Sequence, residues 1–93
     1  MKVSELSGAT LDAWAAKVIG KPPGPPYSTS WAEAGPVIEK ERIHVAPMPG
    51  KGWIWCAVVS SEDSRGTWQE GRTPLIAAMR ALVSSRHGKE VPD

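Results

Sequence analysis

The chain is poor in nearly every residue type that announces chemistry: it has one cysteine, two histidines, one tyrosine and no phenylalanine among 93 residues. A single thiol, Cys56, cannot make an internal disulfide, which fits a reducing cytosol. Cys56, His44 and His87 are the whole soft-metal inventory, and none has the CxxC or HExxH spacing of a zinc site. His44 reads as an outward residue of a strand, and His87 as a favourable cation near a helix C-terminus. No serine sits in the Gly-x-Ser-x-Gly turn of a nucleophile elbow. The Glu62-Asp63 pair falls in a polar turn and is most simply solvated. The expectation is a protein with no catalytic residues, no metal and no cofactor.

Charge of one sign is also lacking. Eleven basic and ten acidic residues leave a net charge of +1, split as five and five through Ala46 and six and five after it. Generic DNA or RNA binding needs clustered Lys and Arg to neutralise phosphates, so it is disfavoured. No apolar run approaches the ~20 residues that span a bilayer. The first residues lack the charged start and apolar block of a signal peptide, so a soluble, cytoplasmic protein is expected.

What the chain does have is tryptophan: Trp14, Trp31, Trp53, Trp55 and Trp68 are five of its six aromatic residues. The indole joins the largest apolar body to an N–H that seeks a partner, which suits cores, interfaces and stacking sites more than chemistry. A single domain of this length builds one core of marginal stability, so a homodimer or higher homo-oligomer is expected.

Turn and cap chemistry divides the chain. A first helix is predicted over 8–19, with Ser7 as N-cap, Leu6 and Leu11 at the hydrophobic-staple positions, Gly20 as the stop, and Leu11, Trp14, Ala15 and Val18 on one face. The linker at 21–26 holds four prolines that fix φ and donate no hydrogen bonds. It reads as a stiff spacer, although its spacing also matches a PxxP ligand. Ser30 and Glu33 form a capping box for a helix over 31–41, with Trp31, Ala34, Gly35 and Ile38 on one stripe and Pro36 expected to kink or restart it. Strands are predicted at 43–48 and 53–60, joined across Pro49-Gly50-Lys51-Gly52 as a hairpin. Trp53, Trp55, Ala57 and Val59 share one face of the second strand, and Ile54, Cys56, Val58 and Ser60 the other, so both faces need cover. A polar turn at 61–66 leads to a short strand near 66–69. Thr73 as N-cap and Pro74 at the first helical position then open a helix over 74–87 with Leu75, Ile76, Met79, Leu82 and Val83 as its apolar stripe.

Three stretches carry a resemblance: the opening Met1 to Ala9 with Leu11-Asp12, the middle Tyr27-Ser28-Thr29-Ser30-Trp31-Ala32-Glu33-Ala34-Gly35-Pro36-Val37-Ile38-Glu39, and the close from Thr73-Pro74-Leu75-Ile76-Ala77-Ala78-Met79-Arg80 through Gly88 to Pro92. Together they resemble the NinX family of lambdoid-type phages and the broader phage ABA-sandwich domain. The resemblance implies a phage or prophage origin, hence the cytoplasm of a bacterial host. It also implies an α+β fold, a small α/β/α sandwich in which helices cover both faces of an antiparallel sheet of about three strands. It transfers no site residues.

Two helix starts carry the binding expectation. At Trp68-Gln69-Glu70-Gly71-Arg72-Thr73-Pro74, free N–H groups and the positive end of a helix dipole attract an anion; Arg72 would grip a phosphate, Thr73 would donate its hydroxyl and Trp68 would stack on a base. Tyr27, Ser28, Thr29 and Trp31 repeat the pattern at the second helix. Each start has an alternative role as an ordinary cap beside a core aromatic. The leading expectation is a non-enzymatic accessory protein that binds a small anionic, nucleotide-like ligand and sequesters a bacterial defence signal. The alternative is a protein-interaction module that inhibits or redirects a host enzyme.

Overall fold

A computed structural model of the chain describes residues 1–60 and 68–92. Three helices, α1 (Gly8–Val18), α2 (Trp31–Glu41) and α3 (Pro74–His87), flank a three-stranded antiparallel sheet of β1 (Ile43–Met48), β2 (Ile54–Val59) and β3 (Gln69–Gly71) in the order β1-β2-β3. The fold is α+β. The polar turn read at 61–66 and the start of the strand read near 66–69 lie outside the described residues, and the strand itself runs over Gln69–Gly71.

The third helix organises the molecule. It touches all three strands and both other helices. Eight of its residues are buried: Leu75, Ala77, Ala78, Met79, Ala81, Leu82, Val83 and Ser84. A helix apolar nearly all round must be enclosed by its neighbours, and the alanines let those neighbours approach. The local chemistry holds it at both ends. Thr73 accepts a hydrogen bond from the N–H of Ile76 at 3.2 Å, Pro74 occupies the first turn, and Gly88, at φ +75°, turns the chain back.

β2 is the central strand, paired with β1 as Ile43↔Val59, Val45↔Ala57 and Pro47↔Trp55, and with β3 as Trp55↔Gly71 and Ala57↔Gln69. Ile43, Ala57 and Val59 are buried, and Val45 and Trp55 pack on the same core. On the opposite face Ile54, Cys56 and Val58 stay half-buried in the single chain. The Cys56 thiol lies 3.5 Å from the carbonyl oxygen of its cross-strand partner Ala46. His44, two residues before Ala46, is exposed as an outward strand residue should be.

Four local expectations need correction. Ser7 stands at the N-cap position of α1 without a side-chain cap hydrogen bond, so the buried staple residues Leu6 and Leu11 hold that entry. Trp31 belongs to the stripe by spacing but is 58% exposed; at the first helical position it overhangs the end of α2, and Ala34 makes the buried contact. Pro36 neither breaks nor restarts α2. Its missing N–H removes one bond to Ala32, and its ring sits on an exposed flank of the helix, clear of the core. Trp53 lies outside β2, 70% exposed, with φ +61° after Gly52 at φ +74°, because the two-residue left-handed turn that closes the hairpin swings its side chain away from the sheet.

Candidate site: a cleft where the chain termini meet the sheet edge

The two ends of the chain run side by side. The Met1 ammonium donates to the Val91 carbonyl at 2.8 Å, the Val91 N–H donates to the Met1 carbonyl at 2.9 Å, and the Val3 N–H donates to the Lys89 carbonyl at 2.9 Å. Lys2 and Glu90 face one another as an antiparallel bridge. Buried Val3, Leu6 and Val91 anchor this ladder to the core. Termini that would otherwise fray are thereby held against the β3 side of the molecule.

Between that ladder and the edge of the sheet lies an open cleft of about 940 Å³, lined by Lys2 and Lys89 from the termini, Trp68 and Glu70 from the sheet edge, and Arg80 and His87 from α3, with Ser4, Gln69 and Glu90 completing its wall. The volume falls in the range of small-molecule sites. Trp68 is 52% exposed and offers an apolar ring on a wall otherwise made of polar and charged residues. Gln69 faces inward, its amide donating to the Ser84 hydroxyl at 3.4 Å. The imidazole of His87 stands edge-on to Trp14, with centroids 5.2 Å apart, while the Lys17 ammonium lies 4.9 Å from the centroid of the same indole.

Arg80 is the fixed point of the cleft. Its Nε donates to the carbonyl of Leu6 at 2.9 Å and its Nη1 to the carbonyl of Glu70 at 2.7 Å, tying α3 to the turn before α1 and to the outer edge of β3. Burial pushes its guanidinium below the usual value, since a partly desolvated cation is harder to keep charged.

Of the residues expected to bind a ligand, only Trp68 lines this cleft. Arg72 is exposed outside it, and Thr73 caps α3. The second helix start is tied up locally. Tyr27 and Ser28 are buried, the Ser28 N–H donates to Asp12 Oδ1 at 2.8 Å, the Thr29 hydroxyl donates to the Pro26 carbonyl at 3.4 Å, and Ser30 accepts from the Glu33 N–H at 3.4 Å. None of Tyr27, Ser28, Thr29 and Trp31 reaches the cleft. The residues that sequence reading missed are Lys2, Arg80 and Lys89. The lysines come from opposite ends of the chain, and Arg80 sits in a helix whose apolar stripe was its only pattern, so no local signal marked them.

Among the described residues no cluster of His, Cys, Asp and Glu could hold a metal ion, and no helix is long and apolar enough to cross a membrane. No curated protein matches the chain. Across residues 21–86, from the proline-rich linker to the last turn of α3, the sequence matches the family described as Bacteriophage P22, NinX, and the chain belongs to that family.

Proposed function

We propose that this is a non-enzymatic phage accessory protein that binds a small anionic, nucleotide-like ligand in the cleft at the chain termini, sequestering a bacterial defence signal in the cytoplasm of the infected host. The observation that carries the reading is the placement of a half-exposed indole, Trp68, beside Lys2, Arg80 and Lys89 around one 940 Å³ cleft. An aromatic face stacks on any base, and ammonium and guanidinium groups bind phosphate oxygens. Sequestration is stoichiometric and asks for no general base. The half-exposed Ile54, Cys56 and Val58 support a homodimer, in which a second copy covers that face.

The test is to incubate the protein with candidate nucleotide signals, remove it by filtration, denature it and assay the released compound. Recovery of the intact ligand supports sequestration. Conversion makes the protein an enzyme instead, and absence of depletion moves the function to a protein partner. That second reading, inhibition or redirection of a host enzyme, is favoured by Trp53, whose indole is 70% exposed on a left-handed backbone at the hairpin tip. Tryptophan is a frequent interface anchor, and a strained residue held outward suits such a role.

A further inference from the structure

We infer that Arg80 is the oxyanion-binding residue of the cleft, holding a phosphate of the ligand through Nη2 while the fold occupies its other two nitrogens. The inference rests on the cleft reading above and adds to it a named recognition group. Arg80 spends Nε on Leu6 and Nη1 on Glu70, both backbone carbonyls. Nη2 makes no hydrogen bond with the described residues, and the side chain lines the cleft. A guanidinium already fixed at two points has lost its rotamer freedom on folding, so an incoming anion need not order it. Its partial burial strengthens the attraction, because a charge with less water around it interacts more strongly with a partner.

The position also sets the guanidinium beside an aromatic ring. Trp68 stands just before β3, two residues from Glu70, and both line the cleft. Arg80 is held at the Glu70 carbonyl, so its guanidinium is tied to the same short segment that carries the Trp68 indole, and both line the one cleft. Lys2 and Lys89, neither held in an ion pair among the described residues, stand on the opposite wall to share the charge. The ligand class is therefore a phosphorylated nucleoside, with the base on Trp68 and the phosphate on Arg80.

The experiment uses the isotopically labelled full chain and three probes at millimolar concentration: AMP, adenosine and inorganic phosphate. AMP should move both the Arg80 Nε–H and the Trp68 indole N–H resonances, phosphate the first, and adenosine the second. Arg80→Lys keeps the charge but loses the fork, and should weaken AMP binding by about tenfold or more and weaken it more than adenosine binding. If AMP moves Trp68 but not Arg80 in the wild-type protein, or if Arg80→Lys binds AMP as tightly as wild type, Arg80 is only a strap between α3 and the sheet edge and the cleft reading survives without it. If none of the three probes moves either resonance, the cleft reading fails as well. Should Arg80→Lys not fold, the wild-type resonances alone decide the matter.

Discussion

A Cβ placed on Gly71 would stand 2.6 Å from the backbone nitrogen of Ala77 and 2.9 Å from Ile76 Cγ2. The last residue of β3 therefore meets the first turn of α3 backbone to backbone. No side chain of α3 can swing aside to make room, because the nearest atom is main chain. This contact sets how closely β3, and with it Trp68 and Glu70, approaches the central helix. Gly71→Ala should destabilise the protein by about 1–3 kcal/mol, the usual cost of overpacking, and lower the melting temperature by roughly 4–8 °C per kcal/mol. An unchanged melting temperature in calorimetry would mean that the strand and helix do not touch there.

Thr73→Ala should cost about 1 kcal/mol, because its hydroxyl satisfies the Ile76 N–H at the entry to the most buried helix. Thermal denaturation measures it directly. No loss would show that α3 is held by packing alone.

Trp68→Ala and Arg72→Ala divide the ligand expectation between them. Trp68 lines the cleft and Arg72 does not, and both are exposed. Trp68→Ala should weaken nucleotide binding by about 1–3 kcal/mol, the worth of one stacked base, with little effect on folding. Arg72→Ala should leave both unchanged. Isothermal titration of the two variants with the same nucleotide checks this, and the reverse pattern would return the site to the α3 start.

Trp53→Gly should raise stability by about 0.5–1 kcal/mol, because glycine adopts the φ of +61° at this position without the penalty of a Cβ. The same substitution should abolish capture of a host enzyme if the hairpin tip is its anchor. A more stable variant with full activity in infected cells would leave Trp53 without a role in recognition.

The proposed homodimer is checked by light scattering at micromolar concentration, where twice the 10.0 kDa chain mass is expected. Val58→Glu, placed on the half-buried sheet face, should yield a monomer that remains folded. A wild-type monomer would leave that face wet and remove the subunit pairing.

Much of this fold was legible because short-range chemistry produced it. Ser30 and Thr73 act as caps within three residues of the N–H groups they satisfy. The glycines and proline after Met48 close the hairpin locally, and the apolar period distinguishes α3 from the strands. Two of the misreadings share one cause. Trp31 and Trp53 each fit an apolar stripe by spacing, yet one stands at a helix end and the other on a left-handed turn, so neither side chain follows the face that its spacing assigned to it.

The sequence by itself determined where each helix starts and stops, the hairpin, the membership in a phage family and the scarcity of catalytic chemistry, because each of these depends on residues within one or two turns of one another or on composition. Tertiary structure alone decided where charge and aromatic surface come together. Lys2 meets Lys89 only because the termini pair, and Arg80 enters the same cleft only because two backbone carbonyls from elsewhere in the chain hold it there. Bonds between groups so far apart in sequence leave no periodic or local trace, since nothing near either partner has to change for them to form.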